Sequence, residues 1–305
     1  MNVILGGGLV ALLARDILGP EWVVIPTGKS RFYTFSPPIA EDYIIRNPEV
    51  DEYMNKYSAI PTIHKIGYSC RGAISFEPSI VSGMYLSKLY KSYVPSHAAA
   101  YYNGLRSFAS YGSCSELYRS LRAKYKSELQ DNNAKYGVVK NIKSGDGLGS
   151  VVTTDTGIFF AGSIISTVPL HALLAWLGIT HKLVHENEYY YHVRTNCLDF
   201  EGATQLFVSD REIDFHKVVM VNKMNYIFYS TKRIEYPGQY FMKFMAKFDL
   251  IAETSVEKSV CCGDIPQIKE LSQNCITCVG STAVHDDCLD ISSCVLRLLR
   301  FKNKI

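Results

Sequence analysis

The pattern of apolar and polar positions at the start of the chain predicts a strand, a glycine turn, a helix and a second strand. Residues 3–5 are a short apolar run of the kind that forms a buried parallel strand. Apolar positions at helical spacing follow up to about Leu18, where Gly19-Pro20 ends the helix. Residues 22–25 are apolar again and complete a strand–turn–helix–strand unit.

A second patterned stretch predicts a helix, a β-meander and a further strand and helix. Residues 115–129 have apolar positions every four residues, which predicts one amphipathic helix with a basic, solvated outer face. Four short apolar runs follow, at 138–142, 151–154, 158–160 and 164–167. Glycine-containing turns separate the first three, so these predict antiparallel strands, and Pro169 predicts the start of another helix.

The rest of the chain mixes helical and alternating patterns. Residues 61–76 alternate as a strand pair, and residues 79–94 have helical spacing. Residues 187–200 and 225–248 alternate like antiparallel strands. Residues 274–283, NCITCVGSTA, predict a strand that runs into a glycine turn.

Composition and charge narrow the class of protein. The chain has 305 residues, 47% of them hydrophobic, which is enough for a large core and for two domains. A net charge of +3 and a pI of about 8.3 give no strong field for nucleic acid or for a membrane surface. No apolar run reaches about 18 residues, and no basic region precedes the first one, so neither a membrane span nor a signal peptide is predicted.

The cysteines predict reduced thiols and a cytoplasmic location. There are nine, an odd number, and they are scattered along the chain. Cys275, Cys278, Cys288 and Cys294 are residue types that bind zinc, but Cys275 and Cys278 would face opposite sides of the predicted strand. We therefore predict packed thiols and no metal.

The glycines after the first strand carry the clearest chemistry. They open Gly-x-Gly-x-x-Ala, in which Gly6 allows a tight turn, Gly8 lets a pyrophosphate approach the backbone, and Ala11 lets the helix pack on the strand. The free N–H groups of the first helical turn, with Leu9 and Val10, face the phosphates. The order of elements favours a dinucleotide site over a glycine turn without a ligand.

Taken together, these features resemble the superfamily of FAD-dependent amine oxidases, protoporphyrinogen oxidases and UDP-galactopyranose mutases. Four places carry the resemblance, which covers about the FAD-binding half of the chain: Gly6-x-Gly8-x-x-Ala11; Lys29-Ser30-Arg31; the helix, meander and Thr-x-Pro turn of 112–177; and the strand, glycine turn, acidic residue and helix of 274–300.

The resemblance implies a fold and a domain organisation. The fold is α/β, with a Rossmann-like FAD-binding domain that carries a β-meander and an α+β substrate domain that carries an antiparallel sheet. The FAD-binding domain would be discontinuous, with residues 1–35, 112–180 and 265–305, and the substrate domain would take residues 36–111 and 181–264.

The resemblance also implies contacts with FAD. By position, the pyrophosphate would contact Gly6, Gly8, Leu9, Val10 and Ala11, and the phosphates or the flavin edge would contact Arg31. The adenine would pack on, or bond the backbone of, Val138 or Val139, and the flavin would lie beside Thr167 and Pro169. The cofactor chain would pass Gly280 and Ser281, and the helix start at Asp290 and Ile291 would face the flavin pyrimidine or the ribityl.

One departure from the family makes NADP an alternative cofactor, although FAD stays the predicted one because the later matches have no counterpart in a simple NADP-binding domain. The family has Glu at the end of the second strand, where it bonds the adenosine ribose, and here Pro26 and Thr27 occupy that place. Thr27 offers one hydrogen bond at most. Lys29 and Arg31, which stand in a segment where the family has Gly-Gly-Arg, would suit a 2′-phosphate, so an NADP-binding protein is an alternative.

The implied function is an FAD-dependent oxidoreductase that oxidises a C–N or C–C bond of a small or nucleotide-linked substrate. Besides the NADP-binding protein, two alternatives stay open: a non-redox flavin mutase of the UDP-galactopyranose mutase type, and a viral flavoenzyme that acts on amino-acid-modified thymidine in DNA. The short chain favours a compact, virus-like member, which would be located in the host cytoplasm.

The substrate half offers fewer candidate residues. His216, Lys217 and Arg233 resemble basic residues that some mutase-like members present to substrate or flavin, and Tyr226 offers a stacking surface, as do Tyr229 and Tyr240. Tyrosines in strands are also common packing residues, which is the alternative for all three.

Overall fold

The structure is a computed structural model. It describes residues 1–27, 38–42, 47–57, 62–77, 79–89, 107–145, 148–180, 184–260, 271, 273–280 and 291–304. Lys29, Arg31, Ser281 and Asp290, four of the predicted cofactor contacts, lie outside this set.

The strands, in chain order, are β1 Asn2–Leu5, β2 Trp22–Ile25, β3 Pro38–Asp42, β4 Thr62–Cys70, β5 Ala73–Ser75, β6 Ser107–Ser113, β7 Val139–Ser144, β8 Ser150–Thr154, β9 Ile158–Ala161, β10 Ser163–Ser166, β11 Val184–Arg194, β12 Gln205–Val208, β13 Phe215–Asn222, β14 Asn225–Ser230, β15 Asp249–Val260 and β16 Ile276–Cys278.

The helices are α1 Leu9–Leu18, α2 Pro48–Asn55, α3 Ser79–Leu89, α4 Cys114–Lys124, α5 Lys126–Tyr136, α6 Leu170–Trp176, α7 Pro237–Met242 and α8 Ile291–Lys302. None of the helices in the described residues is both long and apolar enough to cross a lipid bilayer.

A parallel sheet of order β16-β10-β1-β2 forms the centre of the Rossmann-like layer. Successive side chains of a strand point to opposite faces, and both faces of this sheet are buried. Ile4 and Ile165 pack in one cluster with α1, α4 and α8, whereas Val3 and Leu5 pack in another with the meander and α6. The first strand therefore has no solvated side, as its apolar run predicts.

The predicted β-meander is present as the antiparallel sheet β7-β8-β9. It lies over the face of the parallel sheet that carries Val3 and Leu5, where Val152 and Ala161 complete the core. The chain then enters β10 directly, and Pro169 is the N-cap of α6. These features confirm the predicted order of meander, parallel strand and helix.

Most of the strands in the residues predicted to form the substrate domain belong to a larger, mainly antiparallel sheet. Nine strands of the described residues belong to it, in the order β15-β11-β14-β13-β12-β4-β6-β3, with β5 paired to β4. The pairing of β12 with β4 is parallel, and the other pairings are antiparallel. The Rossmann-like layer, the meander and this sheet confirm the predicted fold class, whereas the exact domain boundaries stay a prediction.

The prediction of a single helix over residues 115–129 is wrong. The chain forms two helices, α4 and α5, with a break at Tyr125, whose φ of −105° and ψ of 14° are not helical. At the break, the Tyr125 hydroxyl donates to Asp16 of α1 at 2.6 Å. The second helix continues past Leu129 to Tyr136, and Gly137 with φ of 63° caps it.

The prediction of strands throughout residues 225–248 is also only partly right. Residues Asn225–Ser230 form β14, but Pro237 begins the short helix α7. Proline at the first helical position is favoured because its missing N–H has no partner there in any helix. Phe241 of this helix is fully buried in the hydrophobic cluster that it forms with residues of the large sheet.

Candidate cofactor and substrate sites

The glycine turn after β1 has the geometry that a pyrophosphate requires. Gly6 has a φ of +130°, and a Cβ there would collide with the Thr167 hydroxyl. Gly8 is different, because its φ of −83° suits any residue and no heavy atom of the described residues lies within 4 Å of a Cβ built on it. The space in front of Gly8 is thus open, whereas Gly6 is fixed by its neighbours.

The N-terminus of α1 is free to receive an anion. Gly8 is its N-cap and supplies no side-chain hydrogen bond, and the first turn has no acidic residue. The first N–H groups of a helix have no partner within the helix and carry the positive end of the helix dipole. Ala11, on the side of this turn that faces the sheet, is fully buried, which lets α1 pack closely on β1.

Three predicted contact residues lie side by side at the carboxyl ends of the parallel strands. Thr167, just after β10, donates its N–H and its hydroxyl to the Leu5 carbonyl at 3.0 and 2.9 Å. Gly6 donates its N–H to the Ile25 carbonyl at 3.0 Å. Gly280 follows β16 with a φ of +118°. Ligands of open parallel sheets bind outside this edge.

The two valines before the meander differ in what they can offer an adenine. Val138 is 40% exposed, and its N–H and C=O both bond Asp155, at 2.7 and 3.1 Å. Its side chain is therefore the part that is open to a ligand. Val139 begins β7 and is buried in the core, so packing of its side chain on an adenine is not available.

The remaining predicted contacts are spread over the same half of the molecule. Pro169 is half-buried as the N-cap of α6, and Ile291 is the first residue of α8. Thr27 follows β2 and is half-buried. Pro26 and Thr27 directly follow β2, so the end of this strand carries no carboxylate of the kind that the family uses to bond the adenosine ribose.

A basic cavity beside the glycine turn was not predicted. It has a volume of about 490 Å³ and extends from Gly7 and Pro26 to α4 and α5. Arg119, Arg122 and Lys126 line it, and we call this cavity the basic cleft. The spacing of three and four residues places the three cations on one face of the single helix that the sequence predicts, although the structure divides them between α4 and α5. Their position beside the glycine turn depends on tertiary packing, which the spacing of residues in the sequence does not predict.

The described part of the large sheet has a polar face that contains two of the predicted catalytic residues. Glu188 and His216 are both buried, and the His216 Nε2 lies 3.3 Å from the Glu188 Oε1. The Tyr190 hydroxyl donates to the Glu188 Oε2 at 2.5 Å, and the Tyr85 hydroxyl of α3 lies 3.2 Å from the His216 Nδ1. A tyrosine–histidine–carboxylate–tyrosine chain therefore crosses this face.

Lys217 lies on the same face, next to an aromatic pair. Its Nζ is 4.0 Å from the centre of the Tyr229 ring, a cation–π distance. Tyr190 and Tyr229 pack edge to face, with ring centres 4.8 Å apart. Lys217 and Tyr190 are both cross-strand partners of Tyr229, which explains how the three side chains meet.

The other two predicted catalytic residues lie elsewhere. Tyr226 is buried in the cluster on the opposite face, and its hydroxyl donates to the carbonyls of Leu198 and Lys223 at 3.5 and 3.3 Å. Arg233 lies in the loop after β14, is exposed and pairs with Glu253 at 3.0 Å. The structure does not bring either of them to His216, and a catalytic role for all four residues stays a prediction.

The structure gives Cys70, Cys197, Cys275, Cys278 and Cys294 as free thiols, and Cys197 is exposed and not packed as predicted. Cys294 is buried in α8, and burial raises the pKa of the Cys278 thiol to about 12. Within the described residues, no three histidine, cysteine, aspartate or glutamate side chains form a group that could hold a metal. Cys288 lies outside those residues, so the absence of zinc stays a prediction.

Solved structures share this architecture at low sequence identity. A reduced UDP-galactopyranose mutase matches with a TM-score of 0.65 and 12% identity, over 99% of this chain and 92% of that one. The p-nitrophenol 4-monooxygenase PnpA from Pseudomonas putida DLL-E4 matches with a TM-score of 0.61 and 13% identity, over 99% and 78%. An L-proline dehydrogenase from P. horikoshii matches with a TM-score of 0.56 and 13% identity, over 96% and 90%.

Comparison by sequence gives no further relatives. No family model matches the chain. No curated protein matches it either. The UDP-galactopyranose mutase is one of the enzymes that the sequence resembles, and its structure extends over nearly the whole of this chain. The chain therefore has the fold of the flavoprotein superfamily that its sequence resembles.

Proposed function

We propose that this protein is an FAD-dependent oxidoreductase. The observation that carries the proposal is the open, uncapped N-terminus of α1 at Gly8, located at the carboxyl edge of a parallel sheet. A pyrophosphate at this point accepts the free N–H groups of the helix and interacts favourably with its dipole. The fold supports FAD rather than a simpler dinucleotide, because the meander and the closing strand accompany the glycine turn.

The residues at the glycine turn fit a bound FAD molecule. The missing Cβ of Gly8 leaves room for a phosphate. Gly6 packs against Thr167, and the Thr167 hydroxyl donates to the carbonyl of Leu5, which precedes the turn. When bound, FAD would accept a hydride, two electrons with a proton, from the substrate and pass the electrons to a second acceptor. The chain's own contribution is then to bind, to orient and to exclude water.

We place the substrate on the polar face of the large sheet and propose oxidation of a C–N or C–C bond in a small or nucleotide-linked molecule. The Glu188 Oε1 lies 3.3 Å from the His216 Nε2, and the Tyr85 hydroxyl contacts the other ring nitrogen. Such a chain can hold a proton at His216 while the substrate changes charge. Lys217 offers a positive charge beside the same histidine for an anionic substrate group.

Purified protein is expected to contain flavin, or to bind it when FAD is added. The measurement is the visible absorption spectrum, followed by identification of the released cofactor. Colourless protein should gain about 2.7 kcal/mol in the free energy of unfolding at a hundredfold excess of FAD over its dissociation constant. Protein that is stabilised by NADPH and not by FAD would contradict the proposal and support the NADP-binding alternative.

Replacing Thr27 with glutamate is expected to tighten FAD binding severalfold. A carboxylate at the end of β2 can bond both ribose hydroxyls, whereas a threonine makes one neutral hydrogen bond worth about 0.5 to 1.5 kcal/mol. Titration with FAD and with NADPH measures the effect, and Thr27→Gln is the matched control without the charge. A folded Thr27→Glu protein that loses FAD would show that this strand end does not face the adenosine ribose.

A further inference from the structure

The basic cleft combines a cavity, three cations and a position next to the glycine turn. Its volume of about 490 Å³ lies within the range of about 300 to 1,000 Å³ that small-molecule sites occupy. Gly7 and Pro26, at the carboxyl ends of β1 and β2, form one wall, and Arg119, Arg122 and Lys126 approach from α4 and α5. Such a cavity is large enough for part of a nucleotide.

The charge of the cleft is not balanced by acidic residues. None of the described residues that line it is an aspartate or a glutamate. In the described part of the chain, Arg119, Arg122 and Lys126 form no ion pair with a carboxylate, although neighbouring cations do: Lys124 pairs with Asp16 at 2.5 Å. Three like charges that converge on one cavity repel one another, and an anion between them relieves that repulsion.

The other lining groups suit a nucleotide phosphate. Gln130 and Asn133 supply amide donors and acceptors from α5. The Tyr118 ring lies under Arg122, with the guanidinium 5.9 Å from the ring centre, and its hydroxyl donates to the Gly7 carbonyl at 3.2 Å. Arginine binds phosphate with paired, charge-assisted hydrogen bonds, so two arginines and a lysine favour phosphate over an uncharged ribose.

We propose that the basic cleft binds a phosphate group of the nucleotide held at the glycine turn, and so replaces the ribose anchor that a carboxylate after β2 would provide. The inference rests on the proposed function in one respect, since it assumes a nucleotide at the turn. The phosphate belongs either to the diphosphate of FAD or to a 2′-phosphate on the adenosine ribose. Both sources present the same chemistry to Arg119, Arg122 and Lys126.

The test is a titration of the Arg119→Gln/Arg122→Gln variant with FAD, in which the quenching of flavin fluorescence reports binding. The dissociation constant is expected to rise by about tenfold, which corresponds to about 1.4 kcal/mol. The matched control is Arg300→Gln/Lys302→Gln, which removes the same charge from the exposed end of α8 and should change the constant less than about twofold. Lys126→Gln serves as a second cleft variant, and circular dichroism verifies that each protein is folded.

Salt and three adenosine ligands separate the sources of the phosphate. The effect of the cleft variants should shrink between about 50 mM and about 500 mM salt, because exposed charges are screened. If 2′,5′-ADP binds the wild-type protein more tightly than ADP and loses that advantage in the variant, the ribose phosphate occupies the cleft. If both bind alike and both weaken in the variant, while adenosine is unaffected, the diphosphate occupies it.

Failure of the inference and failure of the proposed function give different results. Wild-type protein that binds FAD, with unchanged dissociation constants for both FAD and 2′,5′-ADP in the two cleft variants, overturns the inference and leaves the proposed function standing. Wild-type protein that does not bind FAD, yet binds inorganic pyrophosphate through the two arginines, overturns the proposed function and supports a phosphate site in the cleft.

Discussion

Gly8→Val should abolish FAD binding while the protein still folds. In the part of the chain that the structure describes, no heavy atom lies within 4 Å of a Cβ at this position, and the φ of −83° is allowed for valine, so the side chain enters open space. That space is where the pyrophosphate must approach the N–H groups of α1. A loss of more than about a hundredfold in FAD affinity is expected, equal to about 2.8 kcal/mol. The cost in the free energy of unfolding is about 1 kcal/mol, because valine is a poor N-cap.

Two other glycines serve as controls for that result. Gly157→Val makes the same change in a meander turn that also has open space, and it should leave FAD binding intact. Gly6→Ala should instead destabilise the fold, since a Cβ at Gly6 collides with the Thr167 hydroxyl and the φ of +130° is strained for alanine. Full FAD occupancy in a folded Gly8→Val protein would show that the turn has only a structural role.

The nucleotide-binding half was predictable because its signals are local. A short apolar run, a glycine turn and a helix with α-helical spacing succeed one another within residues 3–25, and each is fixed by neighbours in sequence. The meander and Pro169 have equally local signals. The structure confirms the elements at these places with shifts of one or two residues at their ends.

The break between α4 and α5 was not predictable from local pattern. The apolar spacing of residues 115–129 is compatible with one continuous helix. The partner of Tyr125 at the break is Asp16, 109 residues away, and the tertiary contact overrides the helical preference. The basic cleft has the same origin, because it depends on where α4 and α5 pack and not on their sequence alone.

The side chains that meet on the polar face are determined by the register of strand pairing, which the local sequence pattern does not predict. Glu188 on β11 and His216 on β13 come together because both strands pair with β14. A shift of one residue in either pairing would move a whole set of side chains to the other face. His216 could be singled out from its residue type, but its partner Glu188 had no signal of its own.

Asp16 is expected to be the largest single electrostatic contributor to the stability of the nucleotide-binding half. Its side chain is 7% exposed. It accepts hydrogen bonds from one lysine and three tyrosines on the neighbouring elements: Lys124 at 2.5 Å, Tyr125 at 2.6 Å, Tyr53 at 2.8 Å and Tyr57. These donors join α1 to α2, α4 and the start of α5, so the carboxylate links the layer of helices over the sheet.

Burial raises the pKa of the Asp16 carboxyl, but the hydrogen bonds from Lys124, Tyr125 and the two other tyrosines together outweigh it. The pKa falls from 3.8 to about 2. Since the folded state has the lower pKa, the carboxylate stabilises the fold above about pH 4, and this contribution is lost as the pH falls towards 2. A shift of this size corresponds to roughly 2 kcal/mol in the free energy of unfolding.

Asp16→Asn should therefore lower the free energy of unfolding by about 2 to 3 kcal/mol at neutral pH, because Lys124 and the tyrosine hydroxyls lose a charged acceptor. Urea unfolding at a series of pH values measures it. The difference from the wild-type protein should be constant down to about pH 5 and should narrow below about pH 4. Asp131→Asn, an exposed acid on α5, is the matched control and should change stability by less than about 0.5 kcal/mol. An Asp16→Asn protein as stable as the wild type at pH 7, or a difference that does not depend on pH, would show that the charge of this carboxylate does not hold the helices together.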